Sequence, residues 1–215
     1  MDVQRLRQAV EEEFAATGAA TPPWRDPHPD GAAPLDEEYS RCLNPGKYRI
    51  LSTRTAAWAR ALNRLGLAAV EEVENHLAAW RETPVEPLDT TTKLRPARAD
   101  AVPLVLGTRR LDGVPGTIVT LGAGEPAVEL TTLPDCGCDA CDSGSEALLE
   151  ELDEYVLAVV TGDLVHVTRG PGTLVATGSG WSASDWPETE PIETALAKAR
   201  DGHSPHHVVQ GPTWL

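Results

Sequence analysis

Val3, Leu6, Val10 and Phe14 recur three to four positions apart at the start of the chain, with charged residues between them. That spacing lines one face of a helix and predicts a helix over residues 1–18, with Gly18 as its stop. Residues 21–34 show no period and are rich in Pro, Asp and Gly, which predicts an extended surface arm. Asn44-Pro45 then opens the clearest helix, because Asn can cap free amides and Pro suits the first helical position. Tyr48, Leu51, Thr55, Trp58, Leu62 and Leu65 form its apolar face, and it ends near Gly66. Val70, Val73, Leu77 and Trp80 continue at helical spacing and predict more helix, with a short strand over 69–74 as the alternative.

The pattern changes over residues 83–101, which hold three prolines and a Thr90-Thr91-Thr92 run. Apolar runs at 103–109, 117–121 and 127–132 follow, separated by Gly- and Pro-rich turns at 112–116 and 122–126, and predict a three-strand antiparallel meander. Ser143 and Glu146 match a capping box. Behind it Leu148, Leu149, Leu152, Val156, Val159 and Val160 form the apolar stripe of a helix that Gly162 ends. Glu150, Glu151, Asp153 and Glu154 are assigned to its solvated face. Residues 164–168 and 173–177 read as a hairpin around Gly170-Pro171-Gly172, a Trp-containing loop spans 178–187, and a helix covers 192–200. The expected fold is α+β, with N-terminal helices packed on an antiparallel sheet of about five strands, meander plus hairpin. Its expected organisation is a helix and arm over 1–38, one α+β domain over 39–200 and a C-terminal tail over 201–215.

At 215 residues the chain is long enough for one domain with a substantial core. Its formal charge of −15 argues against general nucleic-acid binding and against docking on anionic membranes. No apolar run reaches the ~20 residues of a membrane span, and the charged start does not resemble a secretory signal. A cytoplasmic protein with reduced cysteines is therefore expected. Lysine is confined to Lys47, Lys93 and Lys198, a bias that a GC-rich coding sequence explains without any function.

The charge is not spread evenly. Residues 111–168 contain no Lys or Arg but 12 Asp and Glu. Within that stretch lies Asp135-Cys136-Gly137-Cys138-Asp139-Ala140-Cys141-Asp142, a C-x-C-x-x-C turn. Three thiols in six residues, with a glycine to permit the turn, can converge on one soft ion such as zinc. A structural zinc site needs a fourth ligand, for which Cys42, His166 and the tail histidines are candidates. The flanking Asp carboxylates are hard donors that can serve at the ion or behind its ligands. A redox reading takes Cys138 and Cys141 as a C-x-x-C pair with Cys141 activated by the following helix, although the Asp neighbours oppose thiolate charge. An iron–sulfur reading lacks a fourth local cysteine. The plainest reading is a compact turn of small reduced cysteines.

Leu133 to Asp142, then Leu148-Leu149-Glu150-Glu151-Leu152 and residues 156–162, resemble an uncharacterised family of high-GC bacterial proteins, a domain of unknown function. Tyr39-Ser40-Arg41 and Asn44-Pro45 are similar to its N-terminal motif. The resemblance spans about 39–167, does not take in Cys42, and implies no activity.

Other candidates draw plainer explanations. A three-residue hairpin loop would set His166 opposite Ala176, sharing a face with Leu164 and Leu174, where a half-buried sheet histidine is a plainer reading than a fourth metal ligand. His203, His206 and His207 sit in a terminal segment that reads as a solvated, mobile tail, and His28 lies in the arm. Glu71, Glu72 and Glu74 read as a solvated face. The glycine turns precede no helix, so they are not phosphate cradles. Trp181 and Trp186 read as pins holding a loop to the core. The expected function is that of a non-catalytic acidic accessory or partner-binding protein, for instance an immunity-type inhibitor of a basic protein, with a zinc-stabilised turn at Cys136, Cys138 and Cys141 and His166 as fourth ligand. A metal- or thiol-dependent enzyme using the same cysteines is the alternative.

Overall fold

The computed structural model describes residues 2–82, 84 and 86–215. Met1, at the head of the expected first helix, and Thr83 and Val85, in the proline-rich stretch, lie outside the described residues. The first helix, α1 (Val3–Thr17), is capped by Asp2, whose carboxylate accepts the Arg5 N–H. The arm then crosses the surface, and a 3₁₀ turn at Pro45–Tyr48 leads into α2 (Arg49–Arg64). Asn44 makes no side-chain cap there. α1 packs on α2, and Leu6 and Val10 join Leu51, Trp58 and Leu62 in the main core.

Five antiparallel strands follow in simple meander order: β1 (Ala68–Glu72), β2 (Thr90–Pro96), β3 (Leu104–Leu111), β4 (Val114–Gly124) and β5 (Ala127–Leu133). α2 lies against β4, so helices on a five-stranded antiparallel sheet are what the fold contains. The hairpin is not part of that sheet. β6 (Val165–Arg169) and β7 (Gly172–Ala176) belong to a second, four-stranded sheet of order β8-β7-β6-β9, with β8 at Trp181–Ser184 and β9 at His207–Val209. α3 (Gly144–Thr161) connects the two sheets, and α4 (Ile192–Arg200) covers the second through Ala195, Leu196 and Ala199. Among the described residues no helix is long and apolar enough to cross a membrane.

The helical spacing of Val70, Val73, Leu77 and Trp80 does not produce a helix. Ala68–Glu72 pairs with β2 along its whole length, and a 3₁₀ turn at His76–Ala79, capped by Asn75, follows. Sheet pairing overrides the local period, and Val70 is left exposed on an edge strand. The glycine pair in the expected turn at 122–126 instead lies within β4. A Cβ at Gly122 would fall 2.4 Å from the Trp80 ring, so glycine there lets the indole lie on the sheet. The turn itself is Glu125–Pro126.

The β6–β7 loop holds two residues, Gly170 and Pro171, and not three. His166 therefore pairs with Val175 rather than Ala176, and it shares a face with Val175 instead of Leu174. One residue of register reverses the face. The C-terminal segment is not a solvated tail: β9 pairs with β6, and Trp214 is buried in the main core with its N–H donating to the Val160 carbonyl. Trp186 does pin its loop, donating to the Glu190 carbonyl, whereas Trp181 is exposed.

α3 departs from its expected division into a buried stripe and a solvated acidic face. Asp153 turns inward and accepts Arg54 Nη2 at 2.5 Å and Trp58 Nε1 at 2.6 Å. Arg54, only 5% exposed, also reaches Glu11 at 2.6 Å, so one guanidinium ties α1, α2 and α3 together.

Candidate metal centre

β5 delivers the chain to Pro134, and the cysteine turn follows before α3 begins at Gly144. Gly137 sits at φ +73, and a Cβ there would fall 2.7 Å from Leu111 Cδ2. A left-handed residue without a side chain thus lets the turn fold back against the end of β3. A 3₁₀ turn at Asp139–Cys141 closes it. The three sulfurs of Cys136, Cys138 and Cys141 lie within 4.8 Å of one another. Sulfurs on a tetrahedral zinc with Zn–S near 2.3 Å are on the order of 3.8 Å apart, so little movement separates this arrangement from a ligating one. Cys138 is buried, while Cys136 and Cys141 are exposed.

The turn is held from both sides by its own aspartates. The Asp139 N–H donates to the Arg41 carbonyl at 2.9 Å, and its carboxylate accepts the Leu43 N–H at 3.2 Å and Arg41 Nε at 3.3 Å. Asp142 accepts Lys47 Nζ at 2.5 Å, Trp24 Nε1 at 2.9 Å and the Gly144 N–H at 2.9 Å. The Lys47 ammonium also lies 5.4 Å from the Trp24 ring centre and 5.0 Å from that of Tyr48. Asp139 and Asp142 are therefore committed to the frame behind the thiols. The capping box does not form: Ser143 makes no side-chain cap, and Asp142 takes the first amide instead. Ser145 and Trp24 exchange hydrogen bonds that tie the arm to the first turn of α3.

The three thiols differ electrostatically. Burial opposes ionisation of Cys138, but hydrogen bonds from Cys136, Cys141 and the Ala140 and Cys141 amides outweigh it, and its pKa falls below the usual thiol value. The Cys141 thiol is pushed up to about 12, chiefly by its hydrogen bond to Cys138 and then by burial. The hydrogen bonds among the three thiols spread a negative charge over the cluster. Such a set suits a cation, which can displace the remaining protons.

Among the described residues, the ligand atoms that converge in this way belong to Cys136, Cys138 and Cys141. Cys42 is not one of them; burial, then the Asp139 charge, raises its pKa. His166 stands on β6, 2% exposed, beside His207 and the Glu129 backbone, and burial lowers its pKa to about 4. His206 pairs with Glu190, and His28 with Glu38. The residues missed from sequence are Trp24, Arg41 and Lys47, each about a hundred positions from its aspartate, beyond the reach of any local pattern.

Cys136 and Cys141 open onto a groove of about 920 Å³. Its walls come from β5 (Glu129 to Leu133), β8 (Ser182 to Ser184) and α3 (Leu148, Glu151, Tyr155). No curated protein and no solved structure is significantly similar to the chain. A model for a family of unknown function (DUF6226) matches residues 10–215, well beyond the 39–167 stretch that carried the resemblance, and the chain belongs to that family.

Proposed function

We propose that the protein is a non-catalytic metal-binding accessory protein, in which Cys136, Cys138 and Cys141 hold one soft divalent ion, zinc in the first instance. The observation that carries the reading is the approach of three sulfurs within 4.8 Å on a turn already braced by Asp139 and Asp142. All three donors are thiols, which select zinc over hard cations such as magnesium or calcium. An ion held there would join the end of β5 to the start of α3, across a turn that Asp139 and Asp142 also tie to residues 41–47. That turn lies at the centre of the acidic stretch, and a basic protein is the partner its charge suits.

Thiol labelling under native conditions tests the reading. Zinc-loaded protein should label slowly at Cys136 and Cys141, and a chelator should accelerate the reaction. Labelling of these two exposed thiols at a rate indifferent to zinc and chelator would count against it.

A further inference from the structure

Three sulfurs leave a tetrahedral ion one position short. Cys138 lies buried, and Cys136 and Cys141 line the groove, so the missing position faces the groove rather than the core. The groove runs between two sheet edges, because β5 ends the first sheet and β8 ends the second. Glu82, Glu129, Asp135 and Glu151 line it, and no Lys, Arg or His does so among the described residues.

We propose that this groove receives an extended, basic segment of a partner protein, whose histidine imidazole completes the coordination of the metal. The inference rests on the metal reading above and names the partner chemistry. β8 has no further strand on its outer side, and the outer side of β5 is bridged by Trp80 at Ala127, so its stretch from Glu129 onward and β8 can offer backbone hydrogen bonds to an extended chain. Three thiolates on a divalent ion leave the centre with a net negative charge, and the carboxylate walls add to it. A fourth thiolate would deepen that charge, whereas a neutral imidazole adds none. Lysine or arginine beside the histidine would answer the walls.

Cobalt(II) reports the geometry and ligands of such a site through its visible spectrum. Full-length protein loaded with cobalt would be titrated at low salt with acetyl-Lys-His-Lys-amide, acetyl-Lys-Ala-Lys-amide and acetyl-Glu-His-Glu-amide. The first should shift the visible bands, the second should leave them unchanged, and the third should bind about tenfold more weakly. Raising the salt, or the Glu129→Gln/Glu151→Gln variant, should shrink that preference. A bound cobalt whose spectrum ignores every peptide would overturn the proposal, as would equal responses to the Lys and Glu peptides. A response that emerges only in Cys42→Ser would overturn it too, because the chain would then be closing the site itself. Failure to take up cobalt at all would instead remove the metal reading, and this inference with it.

Discussion

Asp142 Oδ2 accepts Lys47 Nζ at 2.5 Å, with the carboxylate side chain 2% exposed and the lysine 15%. The pair joins the end of the cysteine turn to the 3₁₀ turn before α2, across 95 positions of sequence. Breaking a buried pair from one side strands the other charge, which costs roughly 3 to 5 kcal/mol. Asp142→Ala should lower the urea unfolding midpoint accordingly, since it also orphans Trp24 Nε1 and the Gly144 amide. The double variant Lys47→Met/Asp142→Asn should recover part of the loss, because it removes both charges and keeps an acceptor. A double variant as unstable as Asp142→Ala would show that the stranded charge is not the cause.

Gly137 and Gly31 share the same φ of +73, but only Gly137 has a neighbour in the way, Leu111. Each Gly→Ala change should cost about 1 to 2 kcal/mol from the left-handed backbone alone. Gly137→Ala should additionally displace the cysteine turn and weaken zinc binding, measured by competition with a chromogenic chelator. Gly31→Ala should leave that affinity unchanged. Equal zinc affinity in both variants would mean that the fold-back against Leu111 does not set the thiol geometry.

His166 has its pKa lowered to about 4 by burial, with the His207 charge adding to the effect, against a usual value of 6.5. The unfolded chain therefore binds a proton between those values that the folded chain refuses. Stability from this group is present above pH 6.5 and is lost as pH falls towards 4, by roughly 3 kcal/mol in all. In metal-free protein, the stability of wild type relative to His166→Leu should fall by that order between pH 7 and pH 4. Parallel profiles for the two proteins would contradict the burial of a neutral imidazole at this position.

The helices were readable because one face of each is apolar at helical spacing: Leu6 and Val10, Leu51 and Trp58, Leu152 and Val156 all lie in the core. β1 was not, since an edge strand with Val70 exposed carries little alternation, and its neighbours mimic a helix. Asp153 looked like part of a solvated face, but its partners Arg54 and Trp58 lie on another helix. The His166 face turned on a single residue of loop length. At the candidate site the three thiols were legible from spacing alone. Their frame was not, because Trp24, Arg41 and Lys47 meet the turn only after the arm and the 3₁₀ turn before α2 fold over it.

The central claim is that Cys136, Cys138 and Cys141 together hold one metal ion. Untagged protein, exposed to zinc and freed of unbound metal by gel filtration, should carry one zinc per chain by elemental mass spectrometry, and Cys138→Ser should lose it while remaining folded. Native protein that retains no stoichiometric zinc, or a Cys138→Ser variant that retains it in full, would contradict the account.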